Sequence, residues 1–433
     1  MLVTIRTFVI VLAVMASTTC VLRDNGRFCT SSDDCTSAEF PFCDVDGEFG
    51  PSNRCVATDS VREPDLCPVG KPYFVDGSCV ECRMEADCNQ IDGSAGYVCN
   101  ERVCEKCSEH WQCESKICER SQGRCADPGK VAYVASSGAT ESCGESPQTP
   151  CGTIAAALAL RREWLRIDAP GTYPAQISLS ESGATLRVVG DAYADGELGI
   201  TIQPPDGNTD EPVVDVSGDN VTFYAEGVVF TGVTGNDGAI HCHNNATLLL
   251  DRVKVSGNTG GGVFISNASF TIRNSFIVEN GRNNSFFGGI SVDEPNEPAV
   301  LQFNTISKNN SRENVTSGVD CVNSVPISAN YNIVSQNLIN DELAAADENT
   351  NCTMPTSLID ANPDFADYGM GDYHLKSDST GVLNKVPAAE VERTYDFDND
   401  PRPDTTSNMA DYGADEYRSK SARNPGRWTK SAN

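Results

Sequence analysis

An all-β chain is what this sequence predicts: a parallel β-helix solenoid with an N-terminal capping helix, preceded by a small disulfide-rich domain. Three observations carry that expectation. Short apolar segments recur in the second half of the chain at intervals of about 22 to 29 residues, an asparagine recurs at a fixed offset from them, and fourteen of the twenty cysteines crowd between Cys29 and Cys125. The charge balance narrows the function classes. With 32 Lys+Arg against 61 Asp+Glu the net charge is −29, so a nucleic acid would be repelled over most of the surface. A strongly anionic polysaccharide meets the same obstacle unless a bound cation or basic groove compensates. At 39% hydrophobic and 21% charged the chain is globular in composition.

Four regions follow in order: 1–20, 21–127, 128–417 and 418–433. In the first, Arg6 precedes the apolar run Phe8 to Ala16. That run is shorter than the roughly 20 residues a spanning helix needs and suits a signal-peptide core, so export is expected. Val14-Met15-Ala16 offers cleavage after Ala16. Alternatively, Ser17-Thr18-Thr19-Cys20 resembles a bacterial lipoprotein signal, which would lipidate Cys20 and make that lipid the chain's sole membrane anchor. The last region, with Arg418, Lys420, Arg423, Arg427 and Lys430 among few apolar residues, reads as a solvated basic tail.

In the cysteine-dense region the spacing Cys-x5-Cys occurs three times, at Cys29/Cys35, Cys82/Cys88 and Cys107/Cys113, each followed by two further cysteines. Asp34 and Asp87 precede the second cysteine in two of them. Such small units cannot bury enough apolar surface alone, and cross-links worth roughly 2–4 kcal/mol each supply the stability. Their order leaves the connectivity open. Cys79, Cys82, Cys104 and Cys107 also match a zinc-ribbon spacing, but an exported chain favours disulfides. The pattern resembles the cysteine-rich repeats of myxobacterial surface proteins.

Along the solenoid, five segments align: Val214-Asp215-Val216, Ile240-His241-Cys242, Val263-Phe264-Ile265, Ile290-Ser291-Val292 and Val319-Asp320-Cys321. Their alternation places the outer members on one face and the middle one on the other. A second set of strands follows each, and a third ends in Asn258, Asn280, Asn309 and Asn337, each three residues after an apolar Val or Ile. Asparagine tolerates left-handed backbone and its amide both donates and accepts, so stacked coils about 4.8 Å apart can bond along a ladder. Solenoid ends are exposed sheet edges that need covers. Thr153 to Leu165 reads as an amphipathic helix with an N-cap, suited to plug the N-terminal end.

Gly171-Thr172-Tyr173 with Ile177-Ser178-Leu179 resembles the opening coil of right-handed parallel β-helix proteins of the pectate-lyase-like superfamily. Ser328 to Val334, Leu358 to Phe365, Gly371-Asp372-Tyr373-His374-Leu375, Asp396 to Pro403 and Asp411 to Glu416 resemble bacterial surface proteins of the choice-of-anchor Q type. The likeness spans Tyr133 to Tyr417; Ser379 to Asn384 departs from the family's pattern, so the last coil is expected to be capped differently. Cys143 and Cys151 would close a short loop before the helix, and by resemblance Cys321 would bond Cys352. Cys242 and Cys321, three coils and roughly 14 Å apart, are too distant to bridge, which leaves Cys242 a buried thiol.

The resemblance also implies where chemistry would sit, since β-helix enzymes that cleave polysaccharides use the solvent face of the first strands. Here that column holds Asp215, His241 or His243, Phe264 or Ser266, Ser291 or Asp293, and Asp320. Asp293-Glu294 and Glu297 add carboxylates in a loop beside it. Among these acids, with Asp215 and Asp320, a pair about 5–9.5 Å apart could act on a glycosidic bond, and His241 with Asp215 or Asp320 could form a general base pair. A lyase needs a strong base, usually Arg or Lys, and the column has none; Arg252, Lys254, Arg273 and Lys308 fall on other strands. Asp396, Asp398 and Asp400 alternate as in Ca²⁺-binding loops, so structural Ca²⁺ is a further expectation, though no cofactor is required and the EF-hand glycine and distal Glu are missing. The expected protein is secreted or on the outer surface, monomeric and non-catalytic, with a β-helix face for an extracellular glycan or surface protein. The alternative is an extracellular glycoside hydrolase or polysaccharide lyase.

Overall fold

The computed structural model describes residues 24–30, 34–36, 42–44, 54–56, 67–68, 70–75 and 78–418, apart from 191–192, 195–196, 323–325, 346–348, 360–361, 392–394 and 405. The signal segment, Cys20 and positions 419–433 lie outside the described residues. Contacts divide the chain into two units, one reaching Cys113 and including Cys118–Cys125, the other formed by Glu114–Ile117 with Ala126 onward.

In the first unit each four-cysteine group pairs first with third and second with fourth. The bonds are Cys29–Cys43 with Cys35–Cys55, Cys82–Cys99 with Cys88–Cys104, and Cys107–Cys118 with Cys113–Cys125; Cys67–Cys79 stands alone. The four cysteines of the zinc-ribbon spacing therefore belong to four different disulfides, and that reading is excluded. The aspartates have a local job. Asp34 Oδ2 accepts from the backbone N–H of Thr30 (2.7 Å), and Asp87 Oδ2 accepts from those of Arg83 and Met84 (2.8 and 3.2 Å). Gln112 Oε1 does the same for Ser108 and Glu109 (both 2.8 Å). Each side chain thus closes the loop between its two half-cystines. Burial opposes charge on Asp87, but the bonds from Arg83 and Met84 hold its carboxyl below the ordinary value.

The second unit is a parallel β-helix. Its first sheet stacks Ile177–Leu179, Val214–Ser217, Ile240–His243, Val263–Ser266, Ile290–Asp293 and Val319–Cys321, every neighbour parallel. The second runs from Val131–Ala139 through Trp164–Ile167, Thr185–Gly190, Thr222–Glu226, Thr247–Asp251, Ser269–Arg273 and Asn296–Gln302 to Ser328–Ser335. That last long strand also closes the third sheet, pairing with Thr305–Ser307 as well as with Asn296–Gln302. Alternation sends Val214, Val216, Ile240, Cys242, Val263, Ile265, Val319 and Cys321 inward, where all are fully buried in one continuous core. Each such aliphatic side chain contributes roughly 1.5–3 kcal/mol.

The expected helix is shorter than its periodicity implied. It spans only Ile154–Leu158, with Thr153 Oγ1 accepting from Ala156 N–H (3.2 Å), and packs Ile154 and Ala157 into the core beside Val134 and Leu165. Arg161 then takes a left-handed φ of 51°, and Trp164–Ile167 pairs between Val131–Val134 and Arg187–Gly190. Two parallel ladders override the amphipathic pattern there. The loop closed by Cys143–Cys151 bonds the terminal strand Val131–Ala139 through Ala139 and Gly152. At the other end Cys321 bonds Cys352.

The asparagine ladder runs as an unbroken amide column. Nδ2 of Asn258 donates to Oδ1 of Asn280 (2.9 Å), Asn280 to Asn309 (3.0 Å), Asn309 to Asn337 (3.0 Å), and Asn337 to a fifth member, Asn349 (2.8 Å). All five are fully buried. Each receiving Oδ1 also takes the backbone N–H of the asparagine one rung before. The backbone reason given for asparagine needs correcting. Left-handed φ belongs to the residue before it, namely Gly257, Glu279, Lys308 and Gln336. The asparagine itself is there for its amide.

Residues beyond Leu358 cover the outward side of the third sheet. Phe365, Tyr373, Leu375, Val382, Phe397 and Ala414 pack with Phe276, Val278 and Ile333. Polar ties fix the cover: Arg252 Nε donates to Phe397 O (3.2 Å), Arg402 Nη1 to Asn274 Oδ1 (2.9 Å) and Tyr373 OH to Glu279 Oε1 (3.0 Å). The outward face of the first sheet keeps partial exposure.

Candidate functional site

Register resolves the alternatives left by alternation. One outward column runs Ser178, Asp215, His241, Phe264, Ser291, Asp320; the next runs Ser217, His243, Ser266, Asp293. Both histidines face out, on either side of the inward Cys242. Burial pushes the Cys242 thiol up to about 12, so it is protonated and inert.

At one end the rings form a short stack. His243 lies on His241 (centroids 4.2 Å, interplanar 10°) and His241 on Phe264 (4.9 Å, 10°). His243 Nε2 lies 3.1 Å from Asp215 Oδ1, while its Nδ1 meets Asn244 Nδ2 at 2.9 Å, and that amide also donates to Ser217 Oγ (3.0 Å). His241 Nδ1 lies 3.7 Å from the same Asp215 oxygen. Burial, then the neighbouring His243, lower the His241 pKa, against the pull of Asp215 and Asp237.

At the other end Asp320 accepts from Asn351 Nδ2 (2.8 Å). Burial raises its pKa, with a further contribution from Asp293 and opposition from the Asn351 bond. Asp293 is one rung and two residues away, about 8 Å from strand rise and rung spacing. Asp215 and Asp320 are four rungs and about 19 Å apart, so the structure does not bring them together, and His241 reaches Asp215 but not Asp320. No Lys or Arg lies on any of the six strands. Three of the cations expected on other strands form ion pairs: Lys254, on Lys254–Ser256, with Glu197 (3.9 Å), and Arg252 and Lys308, each just past a strand end, with Glu226 (3.3 Å) and Glu279 (2.8 Å).

Asp396, Asp398 and Asp400 do not converge as a Ca²⁺ loop requires. Asp396 is fully buried, and its oxygens accept from the N–H groups of Asp400 (2.8 Å) and Glu416 (2.7 Å). Asp398 instead lies 3.2 Å from His374 Nε2, whose Nδ1 meets Asp372 at 2.6 Å. Burial opposes the charge on His374, yet Asp372 and Asp398 hold its pKa well above the ordinary value. The turn is closed by an internal ion-pair network that also includes Asp415, whose Oδ2 accepts from Leu375 N–H (2.6 Å). Among the described residues outside the disulfides, two sets bring three metal-ligating atoms within 4.8 Å: Asp215/His241/His243, and His374/Asp398/Asp415. The sequence reading missed the orienting amides of Asn244 and Asn351, which no spacing marks.

No family model and no curated protein matches the chain. A search of solved structures finds a crystal structure of pectate lyase Pel9A at 16% identity and a TM-score of 0.27, covering 66% of this chain and 96% of that one. The parallel β-helix stands on the strand register above, and a superposition this loose adds no argument about activity.

Proposed function

We propose that the protein is a secreted or outer-surface binding protein whose first-sheet face takes an extracellular, uncharged glycan without cleaving it. One observation carries this reading. The outward face presents the imidazoles of His241 and His243 and the carboxylates of Asp215, Asp293 and Asp320, groups that bond sugar hydroxyls, without any Lys or Arg on its strands and with Asp215 and Asp320 about 19 Å apart. Carboxylates and imidazole nitrogens accept hydroxyl hydrogens, and a net charge of −29 disfavours an anionic chain. Nine disulfides among the described residues accord with an oxidising compartment, as does the resemblance of Tyr133 to Tyr417 to choice-of-anchor Q surface proteins. A polysaccharide panel probed with the full secreted chain, read for binding and for reducing-end and unsaturated products, tests it. Binding without product is expected.

A second reading, glycoside hydrolysis, is favoured by one pair. The backbones of Asp293 and Asp320 sit about 8 Å apart, close to the carboxyl separation of inverting enzymes, and burial raises the pKa of Asp320, as the acid member of such a pair requires. Turnover abolished in Asp293→Asn or Asp320→Asn would establish it and overturn the first.

A further inference from the structure

The chain has four histidines, and two of them, His241 and His243, lie two residues apart on one face of one strand, beneath the carboxylate of the preceding rung. We propose that Asp215, His241 and His243 form a binding site for a divalent first-row transition metal, Zn²⁺ above all, on the outward face of the first sheet. This goes beyond the glycan reading and does not depend on it.

The spacing of the donors is close to what the ion needs, and coordination would turn the two stacked imidazole planes toward a common point. Metal–nitrogen and metal–oxygen bonds of about 2.0–2.2 Å in a tetrahedron put neighbouring donors about 3.4 Å apart. Asp215 Oδ1 lies 3.1 Å from His243 Nε2 and 3.7 Å from His241 Nδ1, and one donor atom from each residue lies within 4.8 Å of the others. Two imidazoles and a carboxylate suit Zn²⁺, Cu²⁺ or Ni²⁺ rather than Ca²⁺, which takes six to eight oxygens. The strand sets both histidines on its outward face, and Phe264 stacks on His241.

A second layer is already in place. A ligating histidine donates its other ring N–H to an acceptor. With metal on Nε2, His243 carries its proton on Nδ1, and rotation of the Asn244 amide by half a turn offers Oδ1 in place of Nδ2 at 2.9 Å. The same Oδ1 then accepts from the Ser217 hydroxyl, which now receives from Nδ2 at 3.0 Å. Both hydrogen bonds survive with donor and acceptor exchanged, because a hydroxyl serves either role and amide O and N are nearly isosteric.

The test is calorimetric titration of the untagged full-length chain with Zn²⁺ alone, together with Cu²⁺ paramagnetic resonance to count coordinated nitrogens. One equivalent of Zn²⁺ and a two-nitrogen Cu²⁺ spectrum are expected. Affinity should fall at least 100-fold in His241→Gln and in His243→Gln, and about 10–100-fold in Asn244→Ala, the expected loss for a group that orients a ligand. Asp320→Asn should leave it unchanged. All four side chains lie at the surface, and unchanged melting temperatures confirm folding. Absence of stoichiometric binding, or binding that persists in both histidine variants, overturns the proposal. Glycan binding measured in chelator separates failure of this site from failure of the glycan reading.

Discussion

The same coils carry two polar columns that behave in opposite ways. Inside the turn after the third sheet, one residue type repeats for five rungs, Asn258, Asn280, Asn309, Asn337 and Asn349, each amide both giving and receiving. On the outward face of the first sheet the type changes at every rung, from Asp215 to His241, Phe264, Ser291 and Asp320. A ladder of buried amides is demanded by stacking, because an interrupted rung leaves donors and acceptors without partners or water. The outward column answers to no such demand. What stacking does not explain there is available for recognition, and the difference separates residues that build the solenoid from residues that use it.

The largest effect should come from breaking the inner column. Asn309→Ala removes four hydrogen bonds and takes from the Asn280 N–H and one Nδ2 hydrogen of Asn280 the carbonyl they share. At 1–3 kcal/mol per orphaned group, a loss of about 3–5 kcal/mol is expected from denaturant unfolding of the second unit. A second, shorter ladder sharpens the comparison. Asn304 donates to Asn332 Oδ1 (3.0 Å) and Ile272 O (2.8 Å) and accepts from the Ser275 N–H (3.1 Å). Its replacement by alanine should cost about 2–3 kcal/mol.

The C-terminal cover should respond to pH. Burial pushes Asp411 up to about 6 and Glu416 up to about 7, with Arg402 opposing in both. Both sit above their unfolded values near 4, so their contribution is fully present below pH 4 and is lost as pH rises to about 7. His374, also raised, has the same sign. Amide exchange between Tyr395 and Tyr417 should therefore slow, at equal intrinsic rate, on going from pH 8 to pH 5.5. Faster exchange at the lower pH would contradict the assignment. The smallest effect belongs to the outward column: Asp320→Asn and His243→Gln should each change stability by no more than about 0.5 kcal/mol.

Much of this architecture is legible in sequence because stacking forces repetition. The five aligned segments became five consecutive strands of one sheet in the expected register, and the fixed-offset asparagines became one column. The second ladder, through Ser275, Asn304, Asn332 and Ser357, was hidden because its ends use serine. Residues 153–165 misled because a helical period also fits a short helix followed by a strand whose neighbours supply both ladders. At the site, alternation predicted the face, but partners such as Asn244 and Asn351 come from turns whose path no period encodes. Asp396, Asp398 and Asp400 show the converse: a spacing suited to a cation is taken up by backbone N–H groups and His374 once the chain folds over the third sheet.

The most direct test of this division is glycan binding by a folded Asp293→Asn/Asp320→Asn double variant, measured beside its melting temperature. An unchanged melting temperature with binding weakened at least tenfold is the predicted result. A melting temperature that falls as it does for Asn309→Ala, or binding that stays intact, would show that the outward acids serve the fold or serve nothing at this face.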